Sequence, residues 1–400
     1  MALGIVVIAV LLWIAFMDYI PFAGRSKSCS VKEFRDKRVG WQSLGQTSHR
    51  SLTHTRPRKL GAGLGNRTVK LGFLQWEYHD VGVRESYRVT NSQQTPNPAP
   101  EACNCQVDVI TNSHQPAVDL IIFSATDHGR AFGPAWCEYK YSFANLPSKY
   151  HKGLWGAWTF EHLQQFPQIA DPTVLDKVDM QINYHPESTI PITWFCPREI
   201  NSNWDYTRYL QPVPLADKRY LVAAVASRCR NDWQQYVDEL RKHIEVQTYG
   251  TCWGAEGNHA IPSSSSGGGN SYTSKVEELA KSKFTLVFEN TKQIPHYVSE
   301  KLSHALLAGT VPVIWGAVNI QDYLPSNHSA IIVSHNPEFQ SHPHKLAKYL
   351  TYLHHHPQEY SQYFAWKQDP QAMAKLKRLT SQCYLDLACR VCNWIRKGEE

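Results

Sequence analysis

A two-unit α/β fold built on parallel sheets is the architecture this sequence predicts, and three observations predict it. Short apolar runs rich in branched residues, among them VKLGFLQW from Val69, VDLIIFSAT from Val118 and RYLVAAVAS from Arg219, are bounded by turn formers, as in strands buried on both faces. Helical stretches such as NDWQQYVDELRKH from Asn231 stand between such runs, giving the alternation of βαβ units. The chain has 400 residues, 42% of them hydrophobic and 12% aromatic, too long for one compact core and apolar enough to build two.

Composition excludes other classes. With charged residues at 19%, global disorder is ruled out. Forty-one Lys and Arg against 35 Asp and Glu leave a net charge of +6, a mild surplus that suits an anionic small molecule, and no long basic run marks a nucleic-acid track. Ten cysteines scattered along the chain favour disulfides in an oxidising compartment over a metal cluster. Cys389 and Cys392 form a C-x-x-C, but with no second such pair nearby a disulfide is the better reading than zinc.

In chain order, residues 1–22 carry no charged side chain before Asp18, and the apolar run approaches the roughly 20 residues that span a bilayer, so an uncleaved signal anchor is expected. The basic residues Arg25, Lys27, Lys32 and Arg35 follow this segment and by the positive-inside rule would favour a cytoplasmic flank, whereas the cysteines and the sequons at Asn66 and Asn327 favour a luminal body. The luminal orientation is adopted. Residues 23–66, rich in Ser, Thr, Arg, Lys and Gly, read as a poorly ordered stem. Residues 67–210 form the first unit, with strands expected in VKLGFLQW, CQVDVIT, VDLIIFSAT, GLWGAWTF and QINYH. Residues 211–400 form the second: RYLVAAVAS, the helix NDWQQYVDELRKH, the strand IEVQTYG, a flexible Ser/Gly insertion over 254–272, the strand FTLVFEN, the helix VSEKLSHALLAG, the strands TVPVIWG and AIIVS, and a His-rich helical tail.

The densest chemical constellation is Phe288-Glu289-Asn290 at the carboxyl end of a strand, followed by Tyr297, Glu300 and Lys301 at the start of a helix. Open α/β sheets bind ligands outside the carboxyl ends of their strands, and a helix amino terminus beside a lysine suits phosphate. The bland reading is a solvated Glu300–Lys301 pair and a packing Tyr297. Arg230, between a strand and a helix, could reach the same crevice and hold a diphosphate bidentately, or be a surface charge. Glu161 ends the aromatic run GLWGAWTF, where reduced solvation would tune a general base. Neither G-x-G-x-x-G nor G-x-x-x-x-G-K-[ST] occurs at these turns, nor an Asp-x-Asp pair, so no metal is required and cationic side chains are the natural counter-charge for a diphosphate.

The stretch FTLVFENTKQIPHYVSEKLSHALLAGTVPVIWGA resembles the signature of the α1,3-fucosyltransferases, with matches at Phe288, Glu289, Asn290, Tyr297, Ser299, Glu300, Lys301, Ala308, Gly309, Val311, Pro312, Val313 and Gly316. LVAAVASRCRN with HIEVQTYGTC, and LPSKYHKGLWGAWTFEH, are similar to further parts of that family, and the likeness runs over roughly residues 69 to 395. The resemblance implies a GT-B architecture of two Rossmann-like domains facing a cleft, with the acceptor in the first and GDP-fucose held mainly in the second. It implies a single-pass type II protein of the Golgi membrane. By matching positions Glu161 resembles the catalytic base, Arg230 and Lys301 the diphosphate ligands, and Asn290, Tyr297 and Glu300 the donor-site residues, with Arg228 the competitor of Arg230. The family's Ser-Met-Glu-Ser is here Thr159-Phe160-Glu161-His162, which keeps the carboxylate and changes its neighbours.

The function so implied is inverting transfer of fucose from GDP-fucose to a hydroxyl, O3 of GlcNAc, on a glycan or glycoprotein acceptor. No cofactor is required, and a divalent metal would act only as a stimulant. Two alternatives stand beside it: a GT-B transferase using another nucleotide sugar, and a catalytically silent luminal glycan-binding or scaffold protein.

Overall fold

The computed structural model describes residues 68–74, 87–89, 105–110, 118–124, 153–162, 178–197, 205–213, 215–227, 230–253, 261, 271–291, 293–383 and 387–397. The expected anchor (1–22), the stem (23–66), the Asn66 sequon and most of the Ser/Gly insertion lie outside these residues. Among the described residues no helix is long and apolar enough to cross a membrane.

The first sheet contains β1 (Val69–Leu74), β2 (Tyr87–Val89), β3 (Cys105–Ile110), β4 (Leu120–Ser124), β5 (Leu154–Trp158), β6 (Met180–Asn183) and β7 (Ile190–Pro191), in the order β2-β3-β1-β4-β5-β6-β7. Every neighbour is parallel except β2, which joins β3 antiparallel. All five residues of β5 are buried, as a strand covered on both faces requires. Asp179 secures the start of β6 against β5: its carboxylate accepts the Trp155 N–H at 2.9 Å, and its own N–H donates to the Trp155 carbonyl at 2.8 Å.

The second sheet is parallel throughout, in the order β12-β11-β10-β8-β9, from β8 (Tyr220–Val225), β9 (Val246–Tyr249), β10 (Ser282–Phe288), β11 (Val311–Trp315) and β12 (Ile331–Ile332). Eight described helices accompany the two sheets: α1 (Asn231–Arg241), α2 (Ser271–Ala280), α3 (Glu300–Leu307), α4 (Pro337–Ser341), α5 (Pro343–His355), α6 (Pro357–Gln362), α7 (Pro370–Ser381) and α8 (Leu387–Lys397). Strand periodicity of two sorts the core into layers. Phe284, Leu286 and Phe288 of β10 join Val222, Val311 and Val313 beneath Trp233, Val237 and Leu240 of α1 and Leu346 and Leu350 of α5. Val287 and Ile314 point the other way, onto Leu302 and Leu306 of α3 and Leu376 of α7. After β9 the chain turns at Gly250 with φ +96°, where a Cβ would meet the Ala226 carbonyl oxygen at 2.2 Å, so only glycine fits.

The short strands β2 and β7 were not expected from the sequence, and two further features differ from that reading. Ser271 and Tyr272, expected within the flexible insertion, open α2, because Val276 and Leu279 pack against Ala223, Tyr249 and Ala308 and give that segment a core to bury against. The last helix, α8, does not lie on the second sheet: Leu387, Val391, Cys392 and Ile395 pack with Val69, Leu71, Leu120 and Met180 of the first. A division of the chain at residue 211 does not follow this return. The return is fastened by a disulfide between Cys196 and Cys383, by the Thr193 hydroxyl donating to the Leu379 carbonyl at 2.8 Å, and by Arg390 donating to the Pro191 carbonyl. Cys252, Cys389 and Cys392 are also disulfide-bonded, so the C-x-x-C holds no thiolate pair for zinc.

Candidate functional site

Glu289 follows the last residue of β10, at the carboxyl edge of the second sheet. It is 3% exposed, and its carboxylate accepts from the Ser299 N–H at 2.8 Å, the Ser299 hydroxyl at 2.7 Å and the Lys301 ammonium at 3.4 Å. Ser299 is at the same time the N-cap of α3, its hydroxyl accepting from the Lys301 N–H. The loop between carries two non-glycine residues in the left-handed region, Gln293 at φ +59° and His296 at φ +64°. Asn319 holds the second, accepting the His296 N–H at 2.7 Å, with its amide nitrogen 2.8 Å from the His296 Nδ1.

The first turn of α3 is charged and mostly buried. Glu300 pairs with Lys275 of α2 at 3.5 Å, their side chains 21% and 13% exposed, and the Lys301 side chain is 18% exposed, so Glu300 and Lys301 are not the solvated pair of the bland reading. Burial opposes charge on Glu300, yet Lys301 and Lys275 hold its carboxyl far below the usual carboxylate range. Burial likewise opposes charge on Lys301, and Glu300, Glu289 and Glu161 override it, raising the ammonium pKa. Tyr297 is 5% exposed, and burial first, then Glu289, Glu161 and Glu300, pushes its phenol upward, so it remains a neutral donor.

The first sheet presents its carboxyl ends to the same place. Beyond β5, the Thr159 hydroxyl accepts the Glu161 N–H at 2.9 Å and fixes the backbone carrying that carboxylate. His162 and Tyr184, which follow β5 and β6, set their rings edge-on to Tyr297 at 4.8 and 5.4 Å between centroids. His185 meets His296 in the same manner at 4.7 Å. The carboxyl ends of the two sheets therefore face one another, and Glu161 stands near enough to act electrostatically on Tyr184, Tyr297 and Lys301.

Arg230 occupies the N-cap position of α1. Its guanidinium is gripped by Asp232 at 3.0 and 3.2 Å and donates to the carbonyl of Asn290, linking the end of the β8–α1 connection to the start of the β10–α3 connection. The structure thus brings Arg230 and Asn290 together through the Asn290 main chain, and groups Glu161, Tyr297, Glu300 and Lys301 by charge and ring contacts. Arg228 lies outside the described residues. Among the described residues no group of three His, Cys, Asp or Glu side chains is placed to hold a metal ion.

Residues 215–400, the region that supplies Arg230, Asn290, Tyr297, Glu300 and Lys301, match the family model of glycosyltransferase family 10 (fucosyltransferase), C-terminal part. This region is a family 10 domain. The family 10 domain and its neighbouring residues resemble proteins named GDP-fucose protein O-fucosyltransferase 3: that of Gallus gallus is 39% identical over 197 residues, covering 44% of this chain and 40% of the relative, and that of Danio rerio is 32% identical over 238 residues, covering 57% and 49%. The chain spans about half the length of these relatives. A solved α1,3-fucosyltransferase superposes with a TM-score of 0.49 at 14% identity, covering 88% of this chain and 96% of that one. An α1,3-fucosyltransferase solved with GDP-fucose gives a TM-score of 0.47 at 15% identity, covering 90% and 97%.

Around the family 10 domain's expected residues stand others that sequence reasoning did not single out for the site. Asp232 holds Arg230, Lys275 pairs with Glu300, and His162 and Tyr184 contact Tyr297. Asp232, two residues beyond Arg230, was the one such partner visible locally. Lys275, in an unexpected helix, carried no signal.

Proposed function

We propose that this protein transfers fucose from GDP-fucose to a hydroxyl acceptor with inversion, on a GT-B arrangement in which the second unit holds the donor and the first presents the acceptor. The observation that carries the proposal is the junction at which His162 and Tyr184 of the first sheet set their rings against Tyr297 of the family 10 domain, with Glu161 beside His162 and within electrostatic reach of Tyr297 and Lys301. Glu161 takes the proton from the acceptor hydroxyl as that oxygen attacks the anomeric carbon from the face opposite GDP, through an oxocarbenium-like transition state. Lys301, with Arg230 released from or sharing its Asp232 pair, stabilises the diphosphate as its charge grows. Tyr297 donates from its neutral phenol, while Asn290 and Glu300 shape the donor pocket. Donor charge is met by side chains, with no metal assigned a step.

For the acceptor, the relatives' names favour a protein hydroxyl, while the resemblance read from the sequence favours O3 of GlcNAc. We place the catalytic body in the Golgi lumen behind an N-terminal anchor. The test is GDP release by the purified protein with GDP-fucose and either folded protein domains or GlcNAc-terminated glycans, followed by mass spectrometry of the acceptor. Release confined to one acceptor class names it. A folded protein that fails to bind GDP-fucose overturns the donor assignment, and binding without transfer to either class overturns the acceptor assignment.

A further inference from the structure

Glu289 has no part in the transfer just described, yet the start of α3 is fastened to it. Oε1 accepts the Ser299 N–H at 2.8 Å, and Oε2 accepts both the Ser299 hydroxyl at 2.7 Å and the Lys301 ammonium at 3.4 Å. With both oxygens engaged and the side chain 1% exposed, the carboxylate has a single seat. The end of β11 leaves room for that seat: a Cβ at Gly316 would come within 3.0 Å of the Glu289 Cγ.

We propose that Glu289 is a positioning residue whose carboxylate sets where Lys301 and the first turn of α3 stand, and through them where the donor diphosphate is held. The inference rests on reading Lys301 as a diphosphate ligand. A glutamine could still accept the Ser299 N–H and donate its amide to the Ser299 hydroxyl, so those two contacts alone do not call for a charge. A charge, costly to bury, is warranted by the buried ammonium beside it. Lys301 then stands in an alternating row of Glu289, Lys301, Glu300 and Lys275, with contacts of 3.4 Å at one end and 3.5 Å at the other. An ammonium held in such a row neither swings away nor gives up its proton, and a phosphate oxygen arriving at its open side meets a fixed donor. Glu289 itself is enclosed and negatively charged, so it does not touch the diphosphate.

The experiment compares the unsubstituted protein with Glu289→Gln, Lys301→Ala and the double variant. Glu289→Gln is expected to raise the KM for GDP-fucose on the order of 10- to 100-fold, as misplacement of a binding group by about 1 Å does, with a smaller fall in kcat. In the Lys301→Ala background the same substitution is expected to change KM no further, because its effect runs through Lys301. Full additivity, or an unchanged KM in folded Glu289→Gln, overturns the proposal. A variant that keeps the carboxylate ionised but crowds its seat, Gly316→Ala, should raise KM in the same direction, and serves if Glu289→Gln does not fold. A second readout does not depend on fucosyl transfer. Competitive acylation read by mass spectrometry, with Lys345 as the exposed standard, should label Lys301 faster in Glu289→Gln, by roughly tenfold for each pKa unit lost. If the unsubstituted protein binds no GDP-fucose, the donor reading fails by itself, and unchanged Lys301 labelling would then separately overturn the role of Glu289.

Discussion

Glu161 is the residue on which proposed chemistry and mutation effect are most directly linked. Glutamine keeps its size and can still form hydrogen bonds, but cannot accept the acceptor's proton. Glu161→Gln is expected to lower kcat by about 10²- to 10⁴-fold while GDP binding, measured by titration calorimetry, stays intact. A loss of GDP binding instead would place Glu161 on the donor side. At this scale the sequence was informative about which residues meet and silent about how. Tyr297, Glu300 and Lys301 were visible as a motif, but their burial and the pairing of Glu300 with Lys275 depend on α2 lying against α3, which no local pattern encodes. The hold of Asn290 on Arg230 runs through a backbone carbonyl, and a carbonyl has no signature in a sequence.

Among the elements, α3 has a pH dependence written into it. His304 lies in its interior, 1% exposed, with the Tyr272 ring 5.2 Å away. Burial, then Lys275, holds its pKa down at about 3, with Glu300 pulling upward and Lys301 downward. In the unfolded chain an imidazole titrates at about 6.5, so between about pH 3 and 6.5 the unfolded state binds the extra proton. Stability therefore rises with pH through that window and is lost as pH falls through it, by about 2 kcal/mol between pH 6.5 and 5. Urea unfolding across this range should show the slope, and His304→Leu should flatten it. A slope unchanged by the substitution would assign the acid sensitivity to other groups. The strands other than β2 and β7, together with α1, α3 and α5, were legible because their apolar spacing matches the period of the element they form. The helix α2 was not, since a Ser- and Gly-rich tract runs straight into it and only Val276 and Leu279 report its buried face.

For the whole molecule, the bond between Cys196 and Cys383 closes a loop with a sequence separation of 187. Replacing both by serine is expected to lower stability by about 2–5 kcal/mol. Hydrogen exchange should quicken at β7 and α8 before it does at β10 and β11, and uniform quickening would contradict the assignment of α8 to the first sheet. The proposed luminal location makes a separate prediction. Asn327 is exposed in the turn before β12, the edge strand of the second sheet, with His328 stacked on Tyr363 at 4.2 Å and the Ser329 hydroxyl donating to the Ser326 carbonyl at 2.8 Å. Endoglycosidase treatment of the protein made in a secretory host should shift its mobility by one glycan that Asn327→Gln removes, and no shift at Asn327 would count against the luminal assignment.

The return of α8 also sets a timetable for biosynthesis. The strands of the first sheet leave the ribosome before those of the second, and the helix that covers Val69, Leu71 and Leu120 follows only after the second sheet has been made. Cys196 must wait for a partner 187 positions downstream, which at about 5–20 residues per second is roughly 10–40 s of synthesis. Throughout that interval an apolar face stands uncovered and a thiol is open to the wrong cysteine, while the second sheet, translated in between with the helices that pack on it, already has strands and helices enough to close its own core. The first sheet is thus begun before the second and covered after it, so that its folding is the more exposed of the two to wrong contacts and wrong disulfides during the wait.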